Sequence, residues 1–271
     1  MFPIQIPESG LKLADVVKLE PFAQPWIKLE GNNRFTAFHL KFWGKSMDDD
    51  EREWKSQFQS QKHSTDDDGD DDTDDEDVDD ELIPGCCELD ISPSPVSDIS
   101  TIWIRADYVR IYKYAESKYD LCYERRKAQA LVITGQPGIG EYSRLYLQGT
   151  LLIAIEGKTV SLVYALRRRC AEKKPVIWHT VSGSYIFVED GVYIMAPDFQ
   201  LNEFKVFVWT LVDSEDGVPP HLVENRTRLF VLYASSNKDH WKRLHKNVED
   251  VTVVMNPWTW REIHRACVCH P

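Results

Sequence analysis

Residues 130–169 read ALVITGQPGIGEYSRLYLQGTLLIAIEGKTVSLVYALRRR, and the parsing of this stretch decides the fold. Ala130 to Thr134 is a short apolar run closed by a Gly-Pro turn, the pattern of a buried strand. Gly135-Gln136-Pro137-Gly138-Ile139-Gly140 then supplies the glycine half of a phosphate-binding loop. Glycines let successive backbone N–H groups turn inward around an anion. In a complete GxxxxGK[ST] loop, a Lys comes next and reaches the β- and γ-phosphates, and a Ser/Thr hydroxyl holds Mg²⁺. Here Glu141 stands in the place of the Lys and Tyr142 in the place of the hydroxyl residue. A carboxylate there repels phosphate, so the loop as written is dead.

The missing half lies 17 residues downstream, as Gly157-Lys158-Thr159 followed by an amphipathic segment. Its apolar positions 160, 162, 163 and 166 form one helix face, and Arg/Lys crowd the end where the helix dipole favours cations. Gly157 cannot open a fresh loop, because the first glycine would fall at Leu152. Without residues 141–157 the chain reads GQPGIGKTVSLVYALRRR, a whole motif between strand and helix. The insert equals 51 nucleotides, so its removal keeps the reading frame. Gly140-Glu141-Tyr142 can be encoded as a near-ideal splice donor, and Glu156-Gly157 can end an intron on AG. The insert is therefore read as a retained intron. A genomic sequence lacking GT and AG at those edges refutes that reading. Its rival is a genuine insertion that abolished binding.

Working outward, the order is strand, glycine turn, helix, then further apolar strands. PVIWHT is a second strand, SYIFVEDGVYIM a hairpin turning at Glu189-Asp190-Gly191, and FKVFVWTLVD (204–213), RLFVLYASS and DVTVVMN three more strands. Upstream, apolar residues at 104, 108, 111, 112 and 115 have helical spacing. This grammar predicts an α/β fold with a mainly parallel, P-loop-like sheet flanked by helices. Such sheets bind ligands at the carboxyl ends of their strands. Asp213, ending VFVWTLVD, fits an aspartate that supports Mg²⁺ through water; a strand-ending Asp at a turn is the structural alternative. Glu215 is the candidate catalytic group for polarising an attacking water, with Asp216 as its rival. Ser235 or Ser236 can sense a γ-phosphate or simply start a loop. Lys242 and Arg243 fit a solvated helix face better than an arginine finger.

The composition bounds the rest. The chain has 271 residues and a formal net charge of −12, but 13 of its 44 acids lie in residues 66–81, DDDGDDDTDDEDVDDE. The remainder is near neutral, which argues against a bulk-charge nucleic-acid binder. Three regions follow: 1–60, of unknown fold; 61–98, a disordered acidic and Pro/Ser linker; and 99–271, the P-loop-like domain, interrupted at 141–157 and truncated at the C-terminus. The linker is read as a spacer first and as an arm for a basic protein partner second. The N-terminus has no signal-peptide pattern and no apolar run spans a membrane, so an intracellular protein, cytoplasmic or nuclear, with reduced thiols is expected. The six cysteines contain no CxxC pair; Cys267, Cys269 and His270 read as a frayed tail. RRR (167–169) and WKRLHK (241–246) are basic, but short runs of this kind are usually solvated helix ends.

Taken together, ALVITGQPGIG with KT, YALRRR, the hairpin, WTLVD, LFVLYASS, WKRLHK and MNPWTWREI resemble the fungal P-loop proteins of the Crinkler and retrotransposon hot spot (RHS) type, over residues 100–271. The resemblance implies an ATPase core in which an additional strand lies between the P-loop strand and the strand bearing the metal-supporting aspartate. It implies that Gly135, Gly138, Gly140, Lys158 and Thr159 hold the phosphates of ATP, and that Thr159 and Asp213 hold Mg²⁺. The expected function is an ATP/Mg²⁺-binding switch, inactive in this form because the insert splits the loop. The alternative is a non-enzymatic, degenerate P-loop interaction protein. Nucleic-acid handling rests on family analogy alone.

Overall fold

The computed structural model describes residues 9–19, 26–47, 87–95, 100–135, 157–195, 199, 203–213, 217–223, 227–235, 237, 239 and 248–257. Ten strands and four α-helices appear among them, in the order α1 (Leu13–Val16), β1 (Trp26–Lys28), α2 (Arg34–Phe42), β2 (Cys87–Asp90), β3 (Thr101–Ile104), α3 (Ala106–Arg125), β4 (Gln129–Thr134), α4 (Gly157–Ala171), β5 (Val176–Thr180), β6 (Gly183–Val188), β7 (Gly191–Met195), β8 (Val208–Val212), β9 (Leu229–Ala234) and β10 (Glu249–Val254).

Eight strands form one sheet in the order β1-β7-β6-β5-β8-β9-β4-β10. β5, β8, β9, β4 and β10 run parallel. β6, β7 and β1 extend that array by antiparallel pairing. The α/β expectation of a mainly parallel sheet flanked by helices therefore holds, with three antiparallel strands added along one side. Parallel strands are covered on both faces and so read as continuous apolar runs. β8 and β9 obey this: Val208, Trp209, Leu211, Val212, Leu229, Phe230, Val231, Leu232 and Tyr233 are all buried. Removing each such side chain from water stabilises the fold by ~1.5–3 kcal/mol before entropy is charged against it.

Three helices pack on one face of this sheet. Trp209 meets Tyr112 and Tyr119 of α3 at centroid distances of 5.2 and 5.9 Å, and the Arg169 guanidinium of α4 at 4.8 Å. In register, Trp209 lies beside Val176, and Val176 beside Phe187. Phe38 of α2 reaches Phe187 edge-on at 6.3 Å, so α2 covers the same face further along. Asn33 caps α2 by accepting the Thr36 N–H at 2.9 Å.

Two boundaries differ from the sequence reading. The described part of region 1–60 joins the sheet: β1 is its edge strand, and RFTAFHLKF is helix α2. Residues 87–90, inside the stretch read as linker, form β2 and pair antiparallel with β3. The acidic run 66–81 lies outside the described residues. No helix among the described residues is long and apolar enough to cross a membrane.

Candidate functional site

The carboxyl edge of the parallel strands gathers the described part of the predicted site. Gly135 follows β4 directly, and α4 opens at Gly157, so Lys158 and Thr159 occupy its first turn. The Lys158 side chain is buried, at 2% exposure. The Thr159 hydroxyl donates to Asp213 Oδ1 at 3.0 Å across 54 positions of sequence. Asp213 is the residue after β8, and its backbone N–H donates to the His179 carbonyl at 3.0 Å. The aspartate is thus fixed by main chain on one side and by the threonine on the other.

β9 lies between β4 and β8. Its end presents Ser235, buried, whose N–H donates to the Ile133 carbonyl at 3.0 Å. The Ser235 Oγ accepts the Asn237 N–H at 3.1 Å, and Asn237 Oδ1 accepts the Asp239 N–H at 2.9 Å. This serine organises the loop that leaves β9. Gly138, Gly140, residues 141–156, Glu215, Asp216, Ser236, Lys242 and Arg243 lie outside the described residues, as does the cysteine tail.

Sequence reasoning missed two contributors. His179 is the penultimate residue of β5, the strand neighbouring β8, and its Nδ1 lies 2.7 Å from Ser184 Oγ, its cross-strand partner. Burial, reinforced by the nearby His221, lowers its pKa to about 4 and keeps the ring neutral. The only local signal was a polar residue closing an apolar run. Arg105, at 1% exposure, donates to the carbonyls of Asn256 and Pro257, each at 3.0 Å. Asp107 accepts the Asn256 N–H at 2.9 Å. The start of α3 therefore fixes the chain leaving β10.

The basic run 167–169 needs correction, because two of its three arginines are buried rather than solvated. Arg167 lies 4.4 Å from the Phe42 ring and donates to the Lys45 carbonyl at 3.2 Å. Arg169 sits between the rings of Trp209 and Tyr119, at 4.8 and 5.3 Å. Arg168 reaches Tyr164 Oη at 3.1 Å and Glu172. These side chains spend their charge on aromatic faces and carbonyls of their own chain. Cys122 and Cys170 are buried free thiols whose pKa burial pushes up to about 12, so neither is an activated nucleophile.

Oxygen ligands suit a hard divalent cation, and a hydroxyl beside a carboxylate at the start of a helix matches the donor chemistry Mg²⁺ takes. Thr159 and Asp213 provide that pair. No family model matches the chain, and neither a curated protein nor a solved structure matches it.

Proposed function

We propose that this chain is built on a P-loop-type, ATP- and Mg²⁺-binding switch domain whose phosphate loop is split by residues 141–157. The observation that carries the reading is the hydrogen bond from Thr159 to Asp213, at the carboxyl edge of a sheet in which β9 separates β4 from β8. The second half of the split loop motif and the strand-end aspartate nominated to support its metal lie in contact there. In the uninterrupted form, the backbone amides of Gly135, Gly138 and Gly140 would cradle the phosphates. Lys158 would neutralise their oxygens, and Thr159 and Asp213 would hold Mg²⁺, Asp213 through water. The cation supplies charge neutralisation at the phosphates. Glu215 would orient the attacking water.

In the polypeptide as it stands, Glu141 replaces the lysine of the loop and Lys158 is displaced by 17 residues. That favours a second reading for this form, a pseudo-ATPase that works by binding protein partners, with the acidic run as an arm for a basic one.

Titration with a fluorescent ATP analogue and Mg²⁺ tests both readings. The full chain should give no saturable signal even at millimolar nucleotide, and a variant lacking residues 141–157 should bind. Lys158→Ala in that variant should abolish binding; unchanged binding refutes the P-loop reading. Sequencing transcripts across codons 130–165 tests the retained intron: its absence from mature messenger is expected, and its presence in every transcript overturns that account.

A further inference from the structure

The carbonyls that end a helix need donors from beyond it. The chain just after α4 supplies three, from the N–H groups of Glu172, Lys173 and Lys174 to the carbonyls of Arg168, Cys170 and Arg169, and the far N-terminal part of the chain adds one bond to Cys170 and one to Lys173, two residues past the helix. Gly44 N–H donates to the Cys170 carbonyl at 2.9 Å, and Gly10 N–H donates to the Lys173 carbonyl at 2.8 Å. Arg167 adds its bond to the Lys45 carbonyl and its contact with Phe42. Gly44 has φ +69°, a conformation that L residues rarely adopt, and a Cβ there would meet the flexible side chain of Lys173.

Between these two anchors, the N-terminal residues follow the antiparallel half of the sheet. The Glu189 N–H donates to the Leu11 carbonyl at 2.9 Å, and the Leu13 N–H to Asp190 Oδ1 at 3.0 Å. The Lys205 N–H donates to the Val16 carbonyl at 2.8 Å. β1 pairs with β7. His39 Nε2 lies 2.7 Å from the Val188 carbonyl, and Trp43 Nε1 donates to Glu189 Oε2 at 2.8 Å. The segment thus leaves the C-terminal end of α4 at Gly10, rounds the β6–β7 tip, and returns to the same helix end at Gly44.

We propose that residues 10–19 and 26–45 form a belt anchored on the C-terminal end of α4, so that the belt and the Lys158–Thr159 end of the helix open as one cooperative unit, and a partner that displaces the belt loosens the candidate site. The regulatory consequence rests on the nucleotide reading above; the coupling of belt to helix does not. An element in this position controls the site without touching it, because α4 runs from the Thr159–Asp213 bond to the Gly44–Cys170 bond.

Hydrogen exchange of the full chain, without nucleotide, tests the coupling. Gly44→Val places a β-branched residue at positive φ, which displaces its N–H from the Cys170 carbonyl. The expected result is exchange about tenfold faster across all of α4, including residues 161–165 near its start, together with the belt and the 188–190 tip. β4 and β9 should keep wild-type rates. Acceleration confined to the belt and the last turn of α4 overturns the proposal. If Gly44→Val also strips protection from β9, Trp43→Phe decides, since it removes the bond to Glu189 while keeping an aromatic ring beside His39: the same pattern at smaller size supports the belt, and wild-type rates in α4 overturn it. Nucleotide binding is read separately on the uninterrupted variant. A null result there leaves the exchange pattern standing and removes only the regulatory consequence.

Discussion

The two halves of the sheet solve the same burial problem differently. The parallel half, β5, β8, β9, β4 and β10, is closed by α3 and α4, and its strands point their carboxyl ends at one edge where Lys158, Thr159, Asp213 and Ser235 collect. The antiparallel half, β6, β7 and β1, alternates strand direction and so gathers no common set of strand ends. It is closed by α2 and the N-terminal belt, chiefly through aromatic contacts such as Phe35 on Tyr185, stacked at 4.0 Å. Parallel connections concentrate chemistry at one edge, whereas hairpins extend the scaffold at little cost in chain length. The contrast assigns the site to one half and its support to the other.

The sharpest way to break this contrast is to remove the large ring at the centre of the parallel half. Trp209→Ala should cost about 3–5 kcal/mol, because it leaves a cavity beneath Tyr112, Tyr119 and Phe230 and strips the Arg169 guanidinium of one of its two rings. Phe35→Ala, in the half-buried stack on Tyr185, should cost roughly 1–2 kcal/mol. Urea unfolding of both variants measures the difference, and equal losses would show that the two halves contribute alike.

A smaller effect comes from the histidines at the seams. His179 joins β5 to β6, and His39 joins α2 to the hairpin tip; burial depresses both pKa values, that of His179 to about 4. A histidine with a lowered folded-state pKa is neutral in the fold while the unfolded chain takes up the proton. Its contribution is complete above pH ~6.5 and is lost as pH falls toward about 4. After discounting for the partial exposure of His179, the loss is on the order of 1–2 kcal/mol. His179→Gln should flatten the stability profile between those limits, measured as the thermal midpoint against pH; an unchanged slope excludes His179 as its source. Smallest of all is the exposed pair of Lys41 and Asp90, 2.5 Å apart, which ties α2 to β2. Lys41→Ala should cost less than about 1 kcal/mol, and raising the salt concentration should shrink the difference further.

Much of the parallel half was legible because its signals are local. The run ALVIT lies in β4, and positions 162, 163 and 166 of α4 are buried, but Val160 is only half-buried and Ser161, Tyr164, Ala165 and Arg167 are buried as well, so the helix is enclosed beyond the single face its spacing predicts. The Glu189-Asp190 turn likewise separates β6 from β7. The N-terminal half was harder because its residues point both ways. RFTAFHLKF is rich in strand formers, yet Phe35, Phe38, His39 and Phe42 sit at helical intervals and Asn33 provides a cap, and the spacing prevailed over the composition. The strand expected from 204 starts at Val208 because Phe204 bridges to Val17 and Lys205 pairs with Val16. No local window contains that partner. At the site, Thr159 and Asp213 could be nominated from their motifs, but the role of the His179 carbonyl depends on which strand borders β8. The buried arginines 167 and 169 were misjudged for a related reason: charge predicts solvent only until an aromatic face is available.

The strand order also sets a timetable for biosynthesis. β4 ends at Thr134, and its first sheet neighbour to be made, β9, starts at Leu229. The ribosome must add the 94 residues numbered 135–228 before that pairing can begin. At roughly 5–20 residues per second, this takes about 5–20 s. For that interval the apolar run Ala130–Ile133 emerges with both edges unpaired, and α3 has no parallel sheet to lie on. The hairpin and β5, complete by Met195, form the first part of the eight-stranded sheet the nascent chain can build. The nascent chain therefore has to shelter a wholly apolar strand through that interval, which makes β4 a segment on which a holdase chaperone should act during synthesis.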